Sequence, residues 1–194
     1  DECTGNHIRR TQNYVRLLAD HLSQQDRDRA FLTAENIDLI AKASPLHDIG
    51  KIAIPDHLLL KPGKHTPEEF ELMKTHSIKG ENMLNTTRRE MGDDTPMLVF
   101  ATQIARSHHE RWDGSGYPDG LSGEAIPLPA RLMALADVYD ALRSRRPYKQ
   151  PFNHAEAAVL IKQESGRHFD PALVDAFCSL ENEFATIATQ LADQ

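Results

Sequence analysis

Four times in this chain a residue that caps helices stands directly before a proline: Ser44-Pro45, Thr66-Pro67, Thr95-Pro96 and Asp170-Pro171. Proline is accepted at the first helical position, where its missing N–H would go unpaired anyway, and it disrupts a helix further in. Each dipeptide therefore marks a helix start, although at Ser44-Pro45 a kink within a helix begun earlier fits equally well. Thr66-Pro67-Glu68-Glu69 adds a capping box, and Thr33 with Glu35 and Asn153 with Glu156 mark starts without proline. Apolar residues then recur every three or four positions, as in Tyr14, Val15, Leu18 and Leu22, in Ile37 and Ile40, and in Leu132, Leu135, Val138 and Leu142.

Phe70 and Met73 open a run expected to continue as one helix through His76 and Gly80 to Leu84, and the helix from Pro96 is expected to end at His108-His109. The last helix, from Asp170-Pro171, carries Leu173, Phe177, Leu180, Phe184, Ile187 and Leu191 in steps of four and three, which suits either core packing or the seam of a homodimer. No stretch alternates with the period of a strand. The expected fold is all-α, a single domain over residues 1–194 built as a bundle of about seven helices. Two irregular stretches interrupt it, a Pro/Gly-punctuated connection at 52–65 and a long Gly/Pro-rich loop from Glu110 to Pro129, of a length that usually serves function. The first amphipathic run begins within a few residues of Asp1, so the domain is expected to be excised from a longer chain.

The net charge of −7 argues against broad binding to polymeric nucleic acid or to anionic membranes. No run approaches the ~20 apolar residues of a membrane span, and no signal peptide is evident, so a cytoplasmic location is expected. Cys3 and Cys178 have no motif spacing and read as reduced thiols. An acidic chain with 10 histidines can still bind an anion if metal ions supply the positive charge.

The histidines cluster in a way that suggests this. His47 and Asp48 are adjacent in an apolar setting, followed by Lys51, and are expected on a helix packed into the interior. His7, His76, the doublet His108-His109 and Asp137 each lie on or at the end of an apolar helix, where a bundle can build an interior metal site. Imidazole and carboxylate suit Fe, Mn, Ni, Co or Zn without any thiolate. Five His and two Asp exceed the needs of one ion. With Asp48 bridging, they fit two: His7, His47 and Asp137 on one, and His76, His108 and His109 on the other. Two metals roughly 3.5–4 Å apart activate a bridging hydroxide for phosphoester hydrolysis. A lone helical His is more often packed or exposed than a ligand, so His21, His57, His65, His154 and His168 are assigned no role; His168 sits in a distinctive Gly-Arg-His-Phe-Asp-Pro turn.

His47-Asp48-Ile49-Gly50-Lys51, followed by His108-His109-Glu110-Arg111-Trp112-Asp113-Gly114-Ser115-Gly116-Tyr117-Pro118, closely resembles the two signatures of the HD-GYP domain, a bacterial branch of the HD phosphohydrolase superfamily. The resemblance runs in family order from Thr4-Gly5-Asn6-His7 to His168-Phe169-Asp170-Pro171. It implies an HD-like helical bundle and a phosphodiesterase that hydrolyses cyclic di-GMP to linear pGpG, with slower cleavage to GMP. The seven metal positions of the family fall on His7, His47, Asp48, His76, His108, His109 and Asp137. Lys51 matches a lysine placed at the scissile phosphate, and Tyr117, Arg146 and Lys149 match residues that bind the substrate. Asp113 is expected to shape the loop. Family members with three metals carry a Glu four residues before the first His. Here that place is Cys3, and Glu2 is one residue off, about 100° around a helix. Two metals are therefore expected, with Asp140 orienting a ligand rather than holding a third ion. Preference for 3',3'-cyclic GMP-AMP, or a quiet nucleotide-sensing module that binds a partner such as a cyclase domain, remain alternatives. An upstream receiver domain is the regulatory partner that the resemblance implies.

Overall fold

The computed structural model describes residues 5–92, 95–144 and 150–192. Among these residues there is no strand, and the only bridges are isolated ones at Asp113–Ser122 and Ser165–Phe169. The helices are α1 (Gly5–Leu22), α2 (Ala34–Ala43), α3 (Asp56–Leu59), α4 (Pro67–Lys74), α5 (His76–Met91), α6 (Pro96–Ser107), α7 (Leu128–Arg143), α8 (His154–Gln163), α9 (Pro171–Ser179) and α10 (Glu181–Gln190). The all-α expectation holds. Segments outnumber the seven or so expected because two helices are broken and α3 adds a single turn.

The caps act as their sequences suggest. Thr66 and Asn153 close full capping boxes with Glu69 and Glu156, Thr33 Oγ accepts from Asn36 N, and Asp170 accepts from Ala172 N. Thr95 makes no side-chain cap, and proline alone marks the start of α6.

The run expected as one helix from 67 to 84 stops at Thr75. Thr75 Oγ donates to Leu72 O at 2.6 Å, and the His76 ring bonds Met73 O at 2.7 Å. These side chains take carbonyls that a continuing helix would use, so α4 ends and α5 begins anew with His76. The terminal stripe also breaks, at Leu180, where φ is −119° and ψ 15°. The break lets Phe177 and Phe184 both enter the core, their rings 4.9 Å apart. Phe184 stacks on Tyr14 at 4.6 Å, and Tyr139 closes the cluster edge-on at 5.1–5.3 Å. Leu173, Phe177 and Phe184 are fully buried, so the inner half of the stripe is spent on the core of this chain.

Helix α1 is the hub of the bundle, in contact with α2, α7, α9 and α10. The second hub is a buried carboxylate. Asp170 caps α9 and also accepts from Arg27 at 2.8 Å and Arg131 at 2.5 Å, tying the α1–α2 connection and α7 to the last two helices. Cys178 is free and exposed, and Cys3 lies outside the described residues. No helix among the described residues is long and apolar enough to cross a membrane.

Candidate metal centre

Ser44-Pro45 starts no new α-helix. It opens a 3-10 turn, Ser44–Leu46, that tightens the end of α2, and a second 3-10 segment, Ile49–Ala53, follows. His47 and Asp48 form the corner between them, which corrects the expectation that they sit on a packed helix. The corner is rigid because Gly50 packs directly on α5, where a Cβ added at Gly80 would lie 3.2 Å from Gly50 N. His7 comes from α1, His76 from the first position of α5, His108 and His109 from the end of α6, and Asp137 from α7.

These side chains gather into two groups, Asp48 with His76, His108 and His109, and His7 with His47 and Asp137. Within each group the candidate ligand atoms lie within 4.8 Å of one another. Asp48 joins them. Its Oδ1 lies 3.4 Å from His76 Nε2 and 3.7 Å from His108 Nε2, while its Oδ2 lies 3.2 Å from His47 Nε2 and 2.8 Å from Lys51 Nζ. Asp137 Oδ1 stands 3.9 Å from the Nε2 atoms of both His7 and His47.

The imidazoles are aimed by their other nitrogen. The Nδ1 atoms of His47, His76 and His108 bond the carbonyls of Ser44 (2.9 Å), Met73 (2.7 Å) and Ile104 (2.9 Å). Each Nε2 is thereby turned inward, the arrangement of a metal-ligating histidine. His47 Nε2, His76 Nε2, His108 Nε2 and Asp48 Oδ1 are buried without a hydrogen-bond partner. Leaving several such atoms unmet costs about 1–3 kcal/mol each, which a bound cation would offset. The residues present fit divalent metals.

The electrostatics agree. Burial opposes charge on Asp48, but the imidazoles of His108 and His47 hold its carboxyl far below the usual range. Burial keeps His76 and His109 neutral, His109 further through the neighbouring His108 and His76. Burial also opposes charge on His47, yet Asp48 and Asp137 raise its pKa to about 9. In the metal-free protein, the stabilisation from charged His47 is therefore complete below about pH 6.5 and is lost as pH rises through about 9. A metal must displace that proton. Metal affinity is expected to rise about tenfold per pH unit between roughly 6.5 and 9, with about one proton released at pH 7. Calorimetric titrations in buffers of different ionisation enthalpy measure this, and a pH-independent affinity would refute it.

Residues 5–173 match the HD domain family. The chain belongs to that family. A probable cyclic di-GMP phosphodiesterase of Vibrio cholerae serotype O1 is 53% identical over all 194 residues of this chain, which cover 44% of that relative. A 3'3'-cGAMP-specific phosphodiesterase 2 of the same organism is 40% identical over 98% of this chain and 34% of its own. The chain thus spans less than half the length of these curated relatives. Among solved structures, an HDGYP protein of Bdellovibrio bacteriovorus, Bd1817, superposes with a TM-score of 0.60 at 23% identity, covering 94% of this chain and 55% of the other, a likeness of fold.

Of the remaining residues singled out in the sequence, Lys51, Tyr117 and Asp140 fall around the two ligand groups. Lys51 lies at their rim, a quarter exposed. Tyr117 stacks on His109 at 4.8 Å, with Phe70 edge-on at 6.3 Å and Lys74 Nζ 5.6 Å from its ring centre. Asp113 accepts from both Ser115 N and Ser115 Oγ and closes a turn of the loop. Asp140 is buried and accepts from Arg10 Nε at 2.6 Å while meeting His7 Nδ1 at 2.9 Å, so it aims His7 from behind. Arg146 and Lys149 lie outside the described residues, as do Glu2 and Cys3.

Two residues escaped the sequence reading. Arg10, one turn after His7, grips Asp140 with two nitrogens, so the pair His7/Arg10 on α1 faces the pair Asp137/Asp140 on α7. The spacing i, i+3 on both helices was the available signal. Glu110, directly after the histidine doublet, is buried and accepts from Asp119 N and Leu121 N. It folds the Gly/Pro-rich loop back over the end of α6, and Gly116 sits so close that a Cβ there would lie 2.5 Å from Glu110 Cα. The loop is long but not loose.

Proposed function

We propose that this HD domain is a phosphodiesterase that hydrolyses cyclic di-GMP to linear pGpG, and more slowly to GMP, at a two-metal centre. The observation that carries the reading is Asp48, whose two oxygens are divided between the two ligand groups, His76 and His108 on one side and His47 on the other. The intact ligand set, the HD-GYP signatures and the names of the relatives at 53% and 40% identity support it. Two divalent transition metals (Fe, Mn, Ni, Co or Zn) would supply Lewis acidity toward the phosphodiester and an activated water near neutral pH.

The chain's own residues do the rest. Asp48 stays ionised and bridges the two sites. Arg10 and Asp140 hold His7 in place. Lys51, whose ammonium is set 2.8 Å from Asp48, reaches the scissile phosphate or the leaving oxygen. Tyr117 keeps its phenolic proton because burial raises its pKa, and donates to the substrate from beside His109. Arg146 and Lys149 grip the phosphates. The reaction belongs to the cytoplasm, under control of an upstream receiver or a cyclase partner. The relative named for cyclic GMP-AMP favours one second reading, preference for the mixed dinucleotide.

The test is a product analysis. Metal-free protein reloaded with Mn or Fe is given cyclic di-GMP or 3',3'-cyclic GMP-AMP, and products are separated by chromatography. Faster loss of cyclic di-GMP with appearance of pGpG is expected. Faster loss of the mixed dinucleotide would move the assignment to the second reading, and binding without hydrolysis of either would make the domain a sensor.

A further inference from the structure

We infer that His168, from the turn before α9, is a substrate-contacting residue that hydrogen-bonds the nucleoside part of the dinucleotide in a pocket adjoining the metal ligands. The inference rests on the reading of the domain as a cyclic dinucleotide phosphodiesterase. Beside His108, His109 and Asp137 opens a cavity of about 300 Å³. That lies at the small end of the ~300–1,000 Å³ typical of ligand sites. One wall is a face of α7, where Ala134, Val138 and Ala141 recur at helical spacing, and Phe152 adds to it. The wall is apolar, as suits the flat faces of a purine. His168 also lines the cavity. A nucleoside esterified to a phosphate at the ligands has to occupy space next to them, and this cavity is continuous with three of them.

His168 is held firmly but not by its ring nitrogens. Its N–H donates to Glu164 O at 3.0 Å, its carbonyl accepts from Trp112 N at 3.1 Å, and its ring stacks on Phe169 at 4.3 Å and 8°. The Trp112 bond ties it to the Gly/Pro-rich loop that also carries Tyr117. Among the described residues neither ring nitrogen has a hydrogen-bond partner in the protein. Burial, then the charge of Arg111, lowers its pKa to about 4, so the ring is neutral and offers one donor and one acceptor. A purine edge or ribose hydroxyl is the complement of such a ring, whereas a bare phosphodiester would be better met by a cation.

The test compares two substrates on the metal-loaded protein. His168→Phe keeps an aromatic ring against Phe169 and removes both polar nitrogens; His168→Gln restores a donor and an acceptor on a different frame. Cyclic di-GMP reports the nucleoside contact, and bis(p-nitrophenyl) phosphate, which has no nucleoside, reports the metal chemistry alone. His168→Phe is expected to raise KM for cyclic di-GMP about tenfold, the loss of one buried hydrogen bond. Metal content, and kcat/KM for the small diester, stay within about twofold, and His168→Gln recovers part of the KM. An unchanged KM, or an equal fall on both substrates, would overturn the inference. Binding of linear pGpG by calorimetry reads the same contact without turnover. A wild type that binds pGpG without hydrolysing cyclic dinucleotides would refute only the enzyme reading. The inference on His168 then stands on about tenfold weaker pGpG binding by His168→Phe and falls if that binding is unchanged.

Discussion

Asp48→Asn is expected to reduce hydrolysis of cyclic di-GMP by on the order of 10³-fold or more and to leave the protein short of metal at both sites. The substitution preserves volume, so the effect isolates charge and ligand number. Oδ1 of Asp48 faces His76 and His108, and Oδ2 faces His47 and Lys51. An amide can present only one oxygen, so one of the two groups loses its Asp48 ligand atom outright. The other loses the negative charge that offsets a cation buried among neutral imidazoles. His47 also loses the partner that raises its pKa, which removes the ionic contact of the metal-free protein. The bundle itself should survive, because its aromatic core and the Asp170 hub lie elsewhere. Circular dichroism, metal analysis and turnover together decide the matter. Full turnover in a folded Asp48→Asn protein would end the two-site account.

Much of this arrangement is legible in the sequence, for a physical reason. Helix starts announce themselves because capping is local chemistry, so the beginnings of α4, α8 and α9 could be read from a few adjacent residues. Helix breaks are less visible. The end of α4 depends on the Thr75 hydroxyl and the His76 ring capturing carbonyls, and the break at Leu180 on two phenylalanines reaching one core from both sides. The candidate ligands stand out in the sequence because several imidazoles and carboxylates on apolar helices together suit a metal, and because the two signatures resemble a known family. Of the supports behind them, Asp140 is expected from the sequence and Arg10 is not. Arg10 meets Asp140 across 130 residues of chain, and the i, i+3 spacing on each helix does not say which two helices meet. In the sequence His168 is a solitary imidazole, and the shared cavity relates it to the doublet.

The same difference between local and distant causes sets the second large effect, that of Gly50→Ala. Inside the His47–Lys51 motif, the backbone of Gly50 does not need a left-handed conformation. Space is what it supplies. A Cβ at Gly50 would lie 1.9 Å from His76 O, 2.4 Å from Gly80 N and 2.9 Å from Gly80 Cα. All three are backbone atoms, so no side chain can swing aside and a whole element has to move. The elements in question are the corner that carries His47 and Asp48 and the first turn of α5, which carries His76. Overpacking on this scale should destabilise the fold by about 3 kcal/mol, a fall in Tm of roughly 6–12 °C for a chain of this length. Metal affinity should fall further than stability does, since a shift of even ~1 Å between Asp48 and His76 separates groups that must meet at one ion. Gly5→Ala, at a helix start with open space around it, is the control expected to change neither. Thermal melts and metal content measured side by side test this. A Gly50→Ala protein with normal Tm and a full metal complement would show that the contact between the corner and α5 does not set the geometry of the site.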